Sequence, residues 1–101
     1  QLVDYIEQQL AEPISLGQLA GLCALSEYHF ARMFRTSFGL PPHQYVLTRR
    51  LAQAQALLRS GSMPLGEIAL ACGFSSASHF TNRFRQAMGA TPGEYRQAFQ
   101  P

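Results

Sequence analysis

Two groups of hydrogen-bonding side chains recur in the sequence with similar local spacing. The groups are Tyr28, His29, Arg32, Arg35 and Thr36, and then Ser78, His79, Asn82 and Arg85 with Thr81 beside them. Neither group contains an acidic residue. Arginine can bind guanine or phosphate through paired hydrogen bonds, and asparagine can bind adenine in the same manner. These side chains therefore have the chemistry needed to bind base edges or phosphates.

The spacing places each group on one face of a helix. At 100° per residue, an apolar set takes the opposite side of each helix: Phe30, Phe34 and Phe38 in the first, and Phe80, Phe84 and Met88 in the second. Glu27 lies at the edge of the first polar face, near the helix N-terminus, where it complements the helix dipole. An ordinary solvated face usually mixes Glu with Lys, so two acid-free faces favour docking onto a polyanion.

The distribution of charge is more informative than its sum. The net charge is only +2, and all eight basic residues are arginine. Five arginines and no acid lie between Glu27 and Glu67, and two more lie between Glu67 and Glu94, again without an acid. Genome composition also explains a lack of lysine, so the charge pattern supports nucleic-acid binding without establishing it.

The polar groups belong to an internal repeat that covers residues 16–45 and 65–95. The matched pairs are Leu16/Leu65, Gly17/Gly66, Ala20/Ala69, Cys23/Cys72, Ser26/Ser76, His29/His79, Phe30/Phe80, Phe34/Phe84, Arg35/Arg85, Gly39/Gly89, Pro42/Pro92 and Tyr45/Tyr95. The offset changes from 49 to 50 in the turn between two helices, where one extra residue is easily accepted. Each copy reads as a short helix, a turn and a longer helix, which is the helix-turn-helix arrangement. A helical repeat used for packing or protein contact has the same spacing.

Proline, glycine and capping residues divide the chain into seven helices, with no alternation typical of strands. The predicted helices run from about Leu2 to Glu12–Pro13, Ser15 to Cys23, Ser26 to Phe38, Pro42 to Arg59, Pro64 to Cys72, Ser75 or Ser76 to Gly89, and Thr91 to the C-terminus. Capping boxes are expected at Ser15 and Thr91. The fold class is therefore all-α, with two helix-turn-helix subdomains joined by a long central helix of about 26 Å, at roughly 1.5 Å per residue.

The length of 101 residues favours one domain, with a first subdomain over 1–40, a linker helix over 41–60 and a second subdomain over 61–101. No segment matches a membrane span or signal peptide, so we expect a cytoplasmic protein without membrane partners. Cys23 and Cys72 are expected as core thiols, and no histidine or cysteine spacing predicts a metal site or a cofactor. Because the amphipathic pattern is already running at Gln1, we expect an effector or dimerisation domain on the N-terminal side.

Two long motifs resemble the AraC/XylS family of transcription regulators. Residues 73–85 (GFSSASHFTNRFR) with 88–96 (MGATPGEYR) are similar to the family's C-terminal signature, and residues 24–35 (ALSEYHFARMFR) with Phe38 and Gly39 are similar to its first unit. The resemblance covers residues 2–99. It implies two recognition helices, at about 26–38 and 76–88, that enter successive major-groove segments of double-stranded DNA. Half-sites one helical turn apart, about 34 Å, are compatible with a connector of roughly 26 Å plus the widths of the helices. Rigid docking of both helices could also require the DNA to bend, which would add specificity for DNA shape.

The resemblance also implies roles for individual residues. Base contacts are expected from Tyr28, Ala31, Arg32, Ala77, Ser78, Thr81 and Asn82, and backbone contacts from Ser26, His29, Arg35, Arg49, Arg50, Ser76, Arg83 and Arg85. Arg32 is the strongest candidate to read guanine, whereas the two alanines can offer only methyl contacts. Arg49 or Arg50 could instead form an intramolecular ion pair, and His29 or His79 could instead be structural. The first unit is expected to specify sequence more sharply than the second.

The predicted function is sequence-specific binding of double-stranded DNA in bacterial transcription regulation. The alternative is a helical module that contacts RNA polymerase or a regulator without reading DNA. The family implies that polymerase contacts accompany DNA binding. No nucleophile cluster, paired carboxylates or glycine-rich phosphate loop indicates an enzyme.

Overall fold

The computed structural model describes residues 1–99 as an all-α chain. Over these residues there are seven helices and no strand: α1 Leu2–Gln8, α2 Leu16–Leu22, α3 Glu27–Phe38, α4 Pro42–Ser60, α5 Leu65–Ala71, α6 Ala77–Met88 and α7 Pro92–Ala98. The predicted fold class is confirmed. The last two residues of the predicted segment 61–101 lie outside the described part of the chain.

Local hydrogen bonds explain where the short helices begin. The Ser15 hydroxyl accepts from the Gln18 N–H at 3.1 Å, and the Gln18 side chain accepts from the Ser15 N–H at 2.7 Å. Thr91 and Glu94 form the same reciprocal pair at 3.1 and 2.9 Å. Each pair satisfies backbone donors that a helix N-terminus leaves without an intrahelical partner. Both predicted capping boxes are confirmed.

The first helix is shorter than predicted. It ends at Gln8 instead of reaching Glu12–Pro13, because the chain tightens into turns in which the Gln9 N–H is shared between the carbonyls of Tyr5 and Ile6. Proline disfavours the helical conformation of the residue before it, which explains why the helix does not continue to Glu12. Leu10 is nevertheless only 2% exposed. The apolar stripe therefore identified the core residues, although it overestimated the helix.

The two longer helices of the repeat have matching ends. Ser26 caps α3 and Ser76 caps α6, which decides between the two serines considered for the sixth helix. Gly39 and Gly89 end these helices with left-handed φ angles of 83° and 78°. An isolated left-handed residue of this kind is the usual helix C-terminal stop.

The chain divides into two compact units, and the boundary between them along the sequence falls between Arg49 and Arg50, within α4. The core of the first unit is formed by Ile6, Leu10, Leu19, Ala20, Phe30, Phe34 and Val46. The buried hydrophobic residues of the second unit are Leu51, Ala54, Leu58, Ile68, Ala69, Cys72, Phe74, Phe80 and Phe84. Each half of α4 thus supplies apolar side chains to the interior of its own unit.

The repeat extends further than the sequence motifs indicated. Ile6 and Leu10 correspond to Ala54 and Leu58 at an offset of 48, and all four side chains are buried. The second half of α4 therefore has the role in its unit that α1 has in the first. Tyr45 and Tyr95 likewise correspond, on the first half of α4 and on α7, and each packs its ring against the phenylalanine of its own unit, Phe34 or Phe84.

The two cysteines are free thiols. Cys72 is buried, whereas Cys23 is half-buried and packs against the first core, so only Cys72 is a fully buried core thiol as predicted. Burial raises the pKa of the Cys72 thiol to about 11, which disfavours its reactive thiolate form. Among residues 1–99, no helix is long and apolar enough to cross a membrane.

Candidate nucleic-acid interface

The polar face of α3 is turned away from the first core. Phe30 and Phe34 are fully buried on one side of the helix, and the residues exposed on the other are Tyr28, His29, Arg32, Arg35 and Thr36. Tyr28 is 65% exposed, which is unusual for a large aromatic side chain. The predicted separation of this helix into an apolar and a polar side is observed. The polar side therefore presents both hydrogen-bonding groups and positive charge to a ligand.

The same arrangement recurs in α6. Phe80 and Phe84 are fully buried, and the exposed polar side includes Ser78, His79, Asn82, Arg83, Arg85 and Gln86. An open depression in the surface is lined by Ala77, Ser78, Thr81 and Asn82, the four residues predicted to contact bases in this unit. The structure thus brings the predicted group together as one continuous strip along the helix.

Two predicted base-contacting residues are less accessible than the others. Ala31 and Thr81 occupy equivalent positions in the repeat, and both are half-buried because they lie between the polar face and the core. Their reach is therefore limited to a methyl or hydroxyl group at the edge of the exposed strip.

Two side-chain pairs hold the central polar residues of the faces. On α3, the Arg32 guanidinium donates to the Tyr28 hydroxyl at 3.0 Å, and its central carbon lies 5.7 Å from the tyrosine ring centroid. On α6, the Arg85 guanidinium donates to the Asn82 side-chain oxygen at 3.1 Å. Arg32 and Asn82 are equivalent in the repeat, so the same position is held in both copies by a different neighbour.

The serine and histidine residues at the helix starts have structural contacts of their own. The Ser26 hydroxyl accepts from the His29 N–H at 3.2 Å and lies 2.8 Å from the His29 Nδ1. The Ser76 hydroxyl accepts from the His79 N–H at 3.0 Å, while the His79 Nδ1 lies 3.3 Å from the hydroxyl of Ser75. All five residues are exposed. They therefore cap the helices and remain accessible to a ligand.

The one acidic residue at the start of α3 points towards α2. The Glu27 Oε2 atom lies 3.1 Å from the position that a Cβ on Gly17 would occupy, within the first turn of α2. Its charge is thus directed at a helix N-terminus, where the dipole stabilises it. The exposed polar side of α3 is left without an acid.

The arginines of α4 differ in their surroundings. Arg49 forms a bidentate ion pair with Glu7 at 2.9 and 3.1 Å, and this hydrogen bond lowers the pKa of Glu7. Of the two roles considered for Arg49, the intramolecular ion pair is thus present. Arg50 is half-buried, and burial lowers the pKa of its guanidinium, which still stays charged at neutral pH.

Two further arginines stabilise the second unit. Arg59 donates to the Tyr95 hydroxyl at 2.7 Å, with its guanidinium carbon 5.9 Å from the Phe99 ring centroid. Arg96 donates to the backbone carbonyl of Met63. No spacing signal in the sequence separates these arginines from those on the polar faces, because their partners lie 36 and 33 residues away.

Comparison with known proteins places this geometry in a family. The sequence profile of a family described as "Helix-turn-helix domain" matches residues 19–98. LumQ of Photobacterium leiognathi, a probable transcriptional regulator, is 41% identical over 96 residues, which cover 94% of this chain and 39% of that protein. The chain thus spans less than half the length of this curated relative.

Solved structures share the fold over nearly the whole chain. The DNA-binding domain of AdpA, determined in complex with a target DNA, has a TM-score of 0.93 and 34% identity over 97% of this chain and 88% of that one. A transcriptional regulator from Chromobacterium violaceum, described as an AraC-type DNA-binding domain-containing protein, has a TM-score of 0.88 and 36% identity over 99% and 90%. The chain belongs to the AraC-type helix-turn-helix domain family.

Proposed function

We propose that this domain binds double-stranded DNA sequence-specifically and is the DNA-reading part of a bacterial transcription regulator. The observation that carries the proposal is the pair of equivalent exposed helix sides on α3 and α6, which bear arginine and asparagine and no acidic side chain. The DNA complex of the similar AdpA domain and the regulatory role named for LumQ support it.

In this proposal α3 and α6 are the recognition helices, and they enter successive major-groove segments. A helix fits the major groove, where each base pair presents a distinct pattern of donors and acceptors. The chain would then have a subdomain over 1–40, a connecting helix over 41–60 and a subdomain over 61–101. Most of the affinity would come from phosphate contacts and would therefore fall with salt concentration.

The two helices would read bases unequally. Arg32 can donate two hydrogen bonds to guanine, and Asn82 can donate to and accept from adenine. Tyr28 and Ser78 flank these residues, and the remaining base contacts, from Ala31, Ala77 and Thr81, would be short-range. We therefore expect the first unit to specify its base pairs more sharply than the second.

The phosphate contacts would surround the base-reading strips. The proposed backbone ligands are Ser26, His29, Arg35, Arg49, Arg50, Ser76, Arg83 and Arg85. Arg83 and Arg85 are fully on the exposed side of α6, whereas Arg49 would have to share its guanidinium with Glu7. Exposed guanidiniums that match phosphate geometry are suited to this role. Arg83 is the clearest case to test.

Other partners follow as parts of the same proposal. The domain would act by binding rather than by catalysis, in the cytoplasm, and alongside an N-terminal effector or dimerisation domain of the longer regulator. Leu22 and Leu70, which are 55% and 66% exposed on α2 and α5, are apolar groups available to a protein such as RNA polymerase. A purely protein-binding module is the second candidate, and these leucines are the observation that favours it.

Selection of binding sites from random duplex DNA, at a stated salt concentration, tests the proposal. A defined consensus is expected, and Arg32→Ala should cost about 1–3 kcal/mol on it and relax the preference at one base pair. Arg83→Ala is the matched control, because loss of a phosphate ligand should weaken all sequences alike and reduce the salt dependence. Failure to enrich any sequence would contradict the proposal and favour the protein-binding module. An equal loss on all sequences for Arg32→Ala would make that residue a phosphate ligand.

A further inference from the structure

We propose that Tyr28 is a positioning residue that holds the Arg32 guanidinium ready to read guanine. In place of the base contact that the family resemblance implies for it, Tyr28 does not itself select a base. The inference rests on the proposed function, since it concerns how one DNA-contacting side chain is oriented. It is carried by the geometry of the Tyr28–Arg32 pair on the exposed side of α3.

The pair has two contacts that constrain different parts of the arginine. The hydrogen bond of 3.0 Å from Arg32 Nη1 to the tyrosine hydroxyl fixes the end of the side chain. The distance of 5.7 Å from the guanidinium carbon to the ring centroid lies within the range of a cation–π contact. Residues four apart on a helix face each other, so the backbone places the two side chains together. Arginine has five N–H donors, and one bond to Tyr28 leaves enough for a bidentate contact with guanine.

The pair lies outside the hydrophobic core. Tyr28 is 65% exposed, its hydroxyl lies at the surface, and it is absent from the residues that pack against the first core. Its ring also meets the His29 ring edge-on, with the centroids 5.6 Å apart, so both of its neighbours are exposed polar side chains. Holding the long arginine in one conformation is the effect that bears on base reading. A side chain that is ordered before binding loses less conformational freedom on the DNA, which benefits the correct base most.

The second unit has a different pair of residues at the positions of Tyr28 and Arg32. The position of Arg32 is occupied there by Asn82, which has a short side chain, and the position of Tyr28 is occupied by Ser78. Asn82 is held instead by Arg85, one turn further along α6. The reading position is thus oriented in both copies, and the longer side chain has the larger partner.

A double-mutant cycle between Tyr28→Phe and Arg32→Ala tests the inference. Binding is measured at one salt concentration on the selected consensus duplex. It is also measured on the three duplexes that carry each of the other base pairs at the position where Arg32→Ala relaxes the sequence preference. Tyr28→Phe should lower discrimination at that same base pair about two- to tenfold, the range for loss of one hydrogen bond. It should have no further effect when Arg32 is already alanine. Each variant should unfold within about 8 °C of the wild-type Tm, because neither side chain is in the core and an exposed contact of this kind adds little to stability.

The controls separate this inference from the proposed function. Ser78→Ala, the equivalent change in α6, should leave discrimination at the Arg32 base pair unchanged. If Tyr28→Phe alters preference at a different base pair and its effect adds to that of Arg32→Ala, Tyr28 reads a base itself and the inference is wrong. The inference would also be wrong if Tyr28→Phe and Tyr28→Ala both kept the wild-type discrimination at the base pair that Arg32 reads. If the wild-type domain shows no sequence preference at all, the proposed function fails and the inference fails with it.

Discussion

The turn of each helix-turn-helix unit contains one residue with a left-handed backbone conformation, and this conformation determines whether a substitution there stabilises or destabilises the domain. Ala24 has φ of 55° and Gly73, its equivalent in the repeat, has φ of 86°. These are the turn positions after α2 and α5. Alanine is strained in this region because its Cβ approaches the following carbonyl oxygen, whereas glycine is not. Replacing Ala24 with glycine should therefore stabilise the domain.

Two opposing terms determine the size of the effect. Relief of the left-handed conformation is worth about 1–2 kcal/mol, and the greater freedom of glycine in the unfolded chain costs about 0.4–1 kcal/mol. Ala24 is exposed, so little packing is lost with its methyl group. The two ranges leave a net gain for Ala24→Gly of about 0–1.6 kcal/mol, and the midpoint of about 0.8 kcal/mol corresponds to a rise in Tm of about 3–6 °C for a domain of this size. Gly73→Ala should lower stability by at least the same amount.

Urea and thermal unfolding followed by circular dichroism would measure both changes. Ala56→Gly is the matched control, because Ala56 is exposed within α4 and the same substitution should there destabilise by about 1 kcal/mol. Opposite signs for Ala24→Gly and Ala56→Gly would confirm the reasoning. A destabilisation by Ala24→Gly comparable to that of the control would refute it, since the backbone of the turn would then not be strained.

Two further predictions concern stability. Phe84→Ala should lower the free energy of unfolding by about 3–5 kcal/mol, because Phe84 is fully buried between Phe80 and Tyr95. The control Phe99→Ala, at a 53% exposed position in the same unit, should cost far less. Equal losses would contradict the assignment of Phe84 to the buried side of α6. Glu7→Gln should cost less than about 1 kcal/mol at neutral pH, because both side chains of the ion pair with Arg49 are partly exposed, at 41% and 38%, and solvent screens their charges. The lowered pKa of Glu7 means that the pair stabilises the folded state above the usual glutamate pKa, so the difference between variant and wild type should close as the pH falls through the lowered value. A difference that stays constant in acid-unfolding measurements would show that the pair contributes nothing through its charge.

The sequence by itself determined the features that depend on neighbouring residues. Capping by Ser15 and Thr91, the stops at Gly39 and Gly89 and the burial of Phe30, Phe34, Phe80 and Phe84 all follow from spacings within a few residues, whereas Phe38 and Met88, predicted on the same apolar sides, are only half-buried. The repeat and the family motifs are also readable along the chain. The end of α1 was wrong because the apolar stripe continues through Leu10 whether or not the backbone stays helical.

Only the tertiary structure decided what each arginine contacts. Arg49 finds Glu7 at a separation of 42 residues and Arg59 finds Tyr95 at 36, and no local pattern encodes such pairs. The contact of Arg32 with Tyr28 is local, yet composition alone could not show that the two side chains hold each other. Spacing predicts which face a side chain occupies, whereas its partner depends on the reach and conformation of every side chain that folding brings near it.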